Sequence, residues 1–156
     1  MEVALIKVAV ADGIAVITMD HPPVNAQNAQ FNTEMAYVFD SLSDRKDVRV
    51  AVLTGAGKVF SAGADMKSRT GLSALGERWQ HNRRVRESFH AIRECVKPVI
   101  GALNGPALGA GLAVAASCDI LVGRRRPRSG CRRSTSDCLA AAAMHSACSD
   151  IRRCAA

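Results

Sequence analysis

The chain has 156 residues, enough for one modest domain and too few for two. Apolar residues make up 48% and charged residues 22%, a balance typical of globular rather than disordered proteins. No apolar run approaches the roughly 20 residues that a membrane-spanning helix needs. The first 13 residues have an acidic second position and polar breaks, unlike a secretory signal. These features argue against a membrane protein and predict a cytoplasmic location.

The net charge of +7 is unevenly distributed along the chain. Residues 1–123 hold 13 Lys and Arg against 12 Asp and Glu, whereas residues 124–156 hold eight Arg against two Asp. Four of the six cysteines also lie in this second segment. The composition therefore predicts a near-neutral domain over residues 1–123 and an irregular tail of different character over residues 124–156.

The first elements are a predicted hairpin, a helix and a buried strand. Runs rich in Val and Ile predict strands at residues 3–10 and 14–19, joined by Asp12-Gly13, a pair that tolerates the positive φ angles of a tight turn. Apolar residues at helical spacing predict a helix over residues 27–42. The apolar run at residues 48–53 is typical of a parallel strand that is covered on both faces.

A polar helix and a second strand–helix–strand unit follow. We expect the helix over residues 72–95, a strand over 99–103, a helix of small residues over 107–118 and a strand over 119–122. This alternation predicts an α/β fold. The stripe of the polar helix that should be buried consists of Leu75, Trp79, Val85, Phe89 and Ile92.

Two loops of small residues share a physical property that suits ligand binding. Residues 60–67 read Phe-Ser-Ala-Gly-Ala-Asp-Met-Lys, and residues 104–111 read Asn-Gly-Pro-Ala-Leu-Gly-Ala-Gly. Small side chains let a ligand approach the backbone, and the N–H groups at the start of a helix lack internal acceptors. Two such donors that converge on one point would form an oxyanion hole, although either loop alone is weak evidence because glycine-rich turns are common.

Together and in this order, the two loops resemble those of the crotonase family, the enoyl-CoA hydratase/isomerase superfamily. Lys97-Pro98-Val99-Ile100 before the second loop and Cys118-Asp119-Ile120 after it are part of the resemblance. The segments at residues 21–26 and 51–55 are similar to earlier landmarks of the family. The resemblance runs nearly continuously over residues 1–123 and implies the N-terminal half of a longer α/β spiral of repeated ββα units.

The resemblance also implies a substrate and a set of site residues. The substrate would be an acyl-CoA thioester, whose enolate the backbone N–H groups of Ala64 and Ala110 would hold. Coenzyme A enters as part of that substrate, and no separate cofactor, metal, nucleic acid or membrane is expected. Family members form trimers or hexamers, but the C-terminal helices that support this assembly have no counterpart here. The residues that match the family's coenzyme A contacts are Val24, Ala26, Ala62, Asp65, Met66 and Lys67.

Two departures from the family pattern predict impaired catalysis. Ala113 stands where hydratases have a glutamate that activates water, and Arg133 stands where a second glutamate is expected. A methyl group cannot transfer a proton. Hydration of a 2-enoyl-CoA is the default reaction of the family, but double-bond isomerisation would suit a parent that kept only the second glutamate. The competing prediction is a non-catalytic acyl-CoA binder or inactive fragment.

The tail admits several interpretations. A disordered basic tail is the simplest, while a zinc site is disfavoured by the cysteine spacing and nucleic-acid binding by the run at residues 124–128 would be nonspecific. We favour the hypothesis that the tail is a frameshifted translation. In a frame shifted by one nucleotide, residues 129–141 are compatible with F-G-L-P-E-V-D-V-G-L-L-G-G, which resembles the family's next segment and places a hidden glutamate over Arg133.

Other reactive side chains are expected to have structural roles. The histidines His21, His81 and His90 have no nucleophile suggested near them. Ser61 lacks the G-x-S-x-G sequence of a nucleophile elbow. The flanking apolar residues predict buried thiols at Cys95 and Cys118. For Trp79 and Phe89, core packing is favoured over the lining of an acyl pocket.

Overall fold

The computed structural model describes residues 3–70, 74–123 and 129–130. Predictions that concern the rest of the tail, including the frameshift, the zinc and nucleic-acid alternatives and Arg133, lie outside these residues. The helices are α1 (Ala29–Asp44), α2 (Met66–Thr70), α3 (Leu75–Arg93) and α4 (Ala110–Ala116). The strands are β1 (Ile6–Ala11), β2 (Ile14–Met19), β3 (Ala26–Gln27), β4 (Val50–Gly55), β5 (Gly63–Ala64), β6 (Val99–Leu103), β7 (Ala107–Leu108), β8 (Ile120–Gly123) and β9 (Ser129–Gly130).

A five-stranded sheet in the order β1-β2-β4-β6-β8 forms the centre of the fold. β1 and β2 are antiparallel, and every later neighbour in this sheet pairs in parallel. The hairpin turn uses positive φ angles at Asp12 (52°) and Gly13 (81°), as the sequence predicts. The predicted α/β class is confirmed, with a parallel-dominated sheet whose strands are connected through helices.

The core lies between this sheet and α1. Asn28 caps α1 because its side chain accepts a hydrogen bond from the N–H of Phe31 at 2.8 Å. The apolar positions of α1 that were expected to recur at helical spacing are buried. Burial of each large apolar side chain contributes about 1.5–3 kcal/mol, so this helix anchors the sheet. The largest of these buried side chains on α1 are Phe31, Met35, Phe39 and Leu42.

The predicted buried stripe of α3 is wrong at its N-terminal end. Leu75 is 84% exposed and Trp79 is 59% exposed, so neither packs in the core. Ile92, at the other end of the stripe, is buried as predicted, together with His81 and Ser88, which the predicted stripe did not include. Ser88 Oγ lies 2.8 Å from Val85 O within α3 and 3.2 Å from Asn32 Oδ1 of α1, so the buried face of α3 is the one that packs against α1.

The second loop also differs from the sequence expectation. The helix predicted over residues 107–118 is confined to α4, because Gly109 has φ 52° and ψ −121°, which is not helical. The preceding residues Ala107 and Leu108 form β7, which pairs in parallel with β9. None of the helices in the described part of the chain is long and apolar enough to cross a membrane.

Candidate functional site

The two loops of small residues lie directly against each other. Phe60 and Ser61 donate their N–H groups to Pro106 O at 3.0 and 3.3 Å, and the N–H of Leu108 donates to Ser61 O at 2.9 Å. Ser61 and Ala107 form a parallel bridge at the same point. These main-chain bonds join the two loops at the ends of β4 and β6, where parallel strands of the sheet finish together.

Glycine is required where the loops touch. A Cβ atom on Gly63, which has φ 90°, would lie 2.6 Å from Leu108 O and 2.9 Å from Ala110 N. A Cβ on Gly111 would collide with the carbonyl oxygen of Ser61, and one on Gly105 with that of Lys58. Real Cβ atoms do not approach backbone this closely, so these glycines allow the two loops to close on each other.

This contact brings the two loops that carry the predicted donor residues, Ala64 and Ala110, close together. Gly63, which immediately precedes Ala64, lies against the amide nitrogen of Ala110. Ala110 is the first residue of α4, and the first intrahelical bonds run from Leu112 and Ala113 back to Gly109 O at 3.1 and 3.3 Å. The N–H of Ala110 therefore has no acceptor within its own helix. That this amide and the amide of Ala64 point at one oxygen atom remains a prediction.

β3 and β5 form a short parallel ladder, in which Ala26 pairs with Gly63 and Gln27 pairs with Ala64. Positive φ angles at Asn25 and Gly63 interrupt the regular alternation of a strand, so the two sets of residues here are distinguished by burial. The buried set consists of Asn25, Gln27, Ser61 and Gly63. The half-buried set, which we call the outward face of the ladder, consists of Val24, Ala26, Ala62 and Ala64, all residues that the family resemblance assigns to the ligand.

The remaining predicted coenzyme A contacts begin α2. The N–H of Asp65 donates to Gln27 O at 3.0 Å, which extends the β3–β5 ladder by one bond. Asp65 Oδ1 accepts the N–H of Lys67 at 2.9 Å, so this carboxylate caps the short helix. Met66 and Lys67, which follow Asp65 in the chain, are exposed. A contact of these three residues with coenzyme A remains a prediction.

Ala113 lies on α4 and is only 5% exposed. Its carbonyl oxygen accepts from both the N–H and the Oγ of Ser117, at 3.0 and 2.9 Å. The position therefore belongs to the interior of the helix and carries no group that can accept or release a proton.

A buried polar network behind the ladder was not predicted from the sequence. Asn25, at φ 53°, donates from Nδ2 to Ala56 O at 3.0 Å and to Val59 O at 2.8 Å. Ser61 Oγ donates to Asn25 O at 2.7 Å, and it accepts from Gly63 N at 3.1 Å and Gln27 Nε2 at 3.2 Å. The sequence offered only a weak signal, the alternation of polar and small residues over 24–27, because Asn25 lies outside β3 and has a left-handed backbone conformation.

These contacts explain why Ser61 is not a nucleophile. Its hydroxyl is 0% exposed, and the one donor and two acceptor positions of a hydroxyl are all used. His21 Nδ1 lies 2.6 Å from Ala26 O, and His90 Nδ1 lies 3.5 Å from Glu94 Oε1. His81 is buried on the inward face of α3. No cluster of three potential metal ligands occurs among residues 3–70, 74–123 and 129–130.

The two cysteines in the described region are free thiols, and both are half-buried against the core rather than fully buried as predicted. Cys118 follows α4, and its Sγ lies 3.6 Å from Val114 O. Burial, with a smaller contribution from the negative charge of Asp119, raises the pKa of the Cys118 thiol to about 12. The thiol stays protonated at neutral pH and is a poor nucleophile there.

Comparison with known proteins identifies the family to which this chain belongs. The model of the family "Enoyl-CoA hydratase/isomerase" matches residues 9–137. The chain therefore belongs to the enoyl-CoA hydratase/isomerase family, the crotonase superfamily.

The similar proteins include both hydratases and isomerases. The chain is 37% identical over 123 residues to a probable enoyl-CoA hydratase of Bacillus subtilis, covering 75% of this chain and 45% of that protein. It is 36% identical over 106 residues to a mitochondrial Delta(3,5)-Delta(2,4)-dienoyl-CoA isomerase of Pongo abelii, covering 62% and 32%. A crystal structure of an enoyl-CoA hydratase/carnithine racemase from Magnetospirillum magneticum superimposes with a TM-score of 0.80 at 26% identity, covering 92% and 60%.

The chain spans less than half the length of the curated relatives it matches. The matched part contains both loops and Ala113. This partial match shows the family of the chain, whereas the activity of a complete relative is a proposal for this chain.

Proposed function

We propose that this chain binds an acyl-CoA thioester on the outward face of the β3–β5 ladder and stabilises negative charge on the thioester oxygen with the amides of Ala64 and Ala110. The observation that carries the proposal is the packing of Gly63 against Ala110 N, because it brings the two loops of the predicted oxyanion hole within contact. Family membership supports the choice of an acyl-CoA as ligand.

The outward face suits a ligand that is bound largely through the backbone. Val24, Ala26 and Ala62 are half-buried and small, so a long, thin ligand can lie close to the main chain of both strands. Lys67 is exposed next to this face and supplies a positive charge for the phosphates of coenzyme A. Coenzyme A is thus held as part of the substrate, with no additional cofactor.

Oxyanion stabilisation and proton transfer are separable in this site. Each backbone donor aimed at a developing oxyanion typically contributes about 3–4 kcal/mol to the transition state. Ala113 contributes no acid or base, so addition of water lacks its usual base at this position. Double-bond isomerisation of an enoyl-CoA, in which one base moves one proton, fits a parent chain with a glutamate in place of Arg133, whereas the present chain carries the arginine.

The second candidate is an acyl-CoA binder without catalytic activity. The buried methyl group of Ala113 favours it, since nothing else on the interior face of α4 is ionisable. The two candidates share the ligand and the site and differ only in turnover. Assays with crotonyl-CoA for hydration and with a 3-enoyl-CoA for isomerisation distinguish them, and ordinary rates of crotonyl-CoA hydration would contradict our interpretation of Ala113.

The binding proposal is tested with acetoacetyl-CoA. Its enolate absorbs in the near ultraviolet, so the fraction bound as enolate reports the stabilisation of negative charge without requiring a base in the protein. We expect binding to lower the pKa of the ligand. The variant Ala110→Pro deletes one donor at the first position of a helix, where proline is tolerated, and should reduce enolate stabilisation by about 100-fold or more.

Two controls keep this test specific. Ala110→Gly retains the N–H and should preserve the enolate signal. Binding of coenzyme A without an acyl group should be equal in the wild type and both variants, because it does not use the oxyanion donors. Absence of enolate stabilisation in the wild-type chain would overturn the proposed oxyanion hole.

A further inference from the structure

Gln27 is an unusual residue in the buried face of the β3–β5 ladder. It is 1% exposed, and its Nε2 donates to Ser61 Oγ at 3.2 Å. Among the described residues, its Oε1 is the buried side-chain atom that has no hydrogen-bond partner. A buried, unpaired acceptor costs free energy, whereas an apolar side chain of similar volume would not incur this cost. Fold stability therefore does not account for a glutamine at this position.

The hydrogen bonds of Gln27 lead directly to the proposed oxyanion site. Ser61 Oγ, which Gln27 contacts, also accepts the N–H of Gly63 at 3.1 Å. Gly63 precedes Ala64 and lies against Ala110 N. The side chains of Gln27 and Ser61 and the backbone of Gly63 therefore link Gln27 to the donor pair, and all three residues are buried.

The same hydroxyl ties β3 to the loop. Ser61 Oγ donates to Asn25 O at 2.7 Å, so all of its hydrogen-bonding positions are used within a space closed by Gly111. A hydroxyl that is held by three partners cannot rotate, and it sets the distance between β3 and the Gly63 segment.

We propose that Gln27 and Ser61 are positioning residues of the thioester site: their buried hydrogen bonds hold the Gly63–Ala64 segment at the separation from Ala110 that a single oxyanion requires. The inference rests on the proposed function. Neither side chain is placed to touch the ligand, because Gln27 is 1% and Ser61 0% exposed. Their effect is exerted through the position of the Ala64 amide.

A purely structural role makes a different prediction. If the network only stabilised the fold, its removal would lower stability and the binding of every ligand together. A positioning role predicts that Gln27→Leu leaves the denaturation midpoint unchanged or higher, because the unpaired Oε1 is removed. Enolate stabilisation would nevertheless fall by about 10- to 100-fold, since a misplacement of 1 Å in a site of this kind can cost 100-fold.

The experiment compares Gln27→Leu, Ser61→Ala and the double variant with the full wild-type chain. Gln80→Leu, on the exposed side of α3, is the matched control for the glutamine substitution. For each protein the enolate fraction of bound acetoacetyl-CoA, the affinity for coenzyme A and the denaturation midpoint are measured. Hydrogen exchange of the Gly63 amide reports the geometry independently of any ligand.

The inference expects a loss of enolate stabilisation in both single variants with coenzyme A affinity unchanged. It also expects faster exchange of the Gly63 amide in Ser61→Ala, and a double variant no worse than the poorer single one, since the two side chains act as one unit.

Unchanged enolate stabilisation in the single variants would overturn the inference and leave the proposed function intact. Parallel loss of stability and of both ligands would assign the network to folding alone. If the wild-type chain does not stabilise the enolate, the proposed function is overturned and the inference falls with it. A change in the Gly63 exchange rate in the variants would not alter that conclusion.

Discussion

Residue type is tightly constrained in the two-loop site and only loosely constrained in the N-terminal half of α3. In the site, small residues are required because backbone meets backbone: Gly63 lies against Leu108 and Ala110. In α3, Leu75 and Trp79 are large and apolar yet exposed, so burial does not determine what they must be. Close approach of the main chain therefore constrains a sequence more tightly than hydrophobicity does on a partly covered helix.

The largest effect is expected for Gly63→Ala. The new Cβ would lie 2.6 Å from Leu108 O, at a residue with φ 90°. Steric overlap and backbone strain together should cost about 3 kcal/mol or more in the free energy of unfolding and separate the two loops. Chemical denaturation measures the first effect, and acetoacetyl-CoA binding measures the second.

The matched control for that variant is Gly57→Ala. Gly57 also has a positive φ, of 73°, but a Cβ there would meet no atom within 4 Å. Only the conformational strain remains, about 1–2 kcal/mol. Equal losses in the two variants would show that the contact between the loops does not matter.

A smaller effect is expected for Asn25→Ala. This substitution removes the donor to Ala56 O and Val59 O and places alanine at φ 53°. The buried carbonyls lose their partner, and we expect a loss of about 2–3 kcal/mol in the free energy of unfolding. Asn28→Ala, which removes only the cap of α1, should cost about 1 kcal/mol in the same denaturation experiment. A larger loss at Asn28 than at Asn25 would contradict the importance of the network.

The thiol of Cys118 predicts a dependence of stability on alkaline pH. Its pKa is about 12 in the folded chain and 9.0 in its ordinary state, so above pH 9 the unfolded chain releases a proton that the folded chain keeps. Stability is therefore fully present below pH 9 and is lost as the pH rises toward 12. At pH 10 the loss should be about 1.4 kcal/mol, and it should be absent in Cys118→Ala. Parallel stability curves for the two proteins between pH 8 and 10 would refute this.

The smallest effect is expected for Trp79→Ala in α3. Because the side chain is mostly exposed, the free energy of unfolding should change by no more than about 0.5 kcal/mol. Ile92→Ala, at a buried position of the same helix, should cost about 2–4 kcal/mol and serves as the comparison. A large loss in the free energy of unfolding for Trp79→Ala would contradict the exposed position of this side chain.

The frameshift hypothesis for the tail is tested on DNA rather than on protein. We expect sequencing across codons 120–130 to reveal a displaced reading frame, after which the restored chain carries a glutamate in place of Arg133. An intact frame in the gene would end this hypothesis. The assignment of residues 1–123 does not depend on the result.

Much of the fold was predictable because its determinants are local. The Asp12-Gly13 turn, the apolar run of β4 and the spacing of Phe31 and Met35 each act within a few residues, and the structure confirms the elements they predict. The glycines of the two loops were also visible in the sequence. Their partners were not, because residues 63 and 110 come together only when β4 and β6 lie side by side.

The sequence by itself determined the order of the longer strands and helices, the family to which the chain belongs and the lack of an ionisable side chain at Ala113. Only the tertiary structure decided which face of α3 is buried, where α4 begins and how Gln27, Ser61 and Gly63 are connected. The physical reason is the range of the forces involved. Backbone propensity and periodicity act along the chain, whereas packing between helices and hydrogen bonds between loops depend on residues that are distant in sequence.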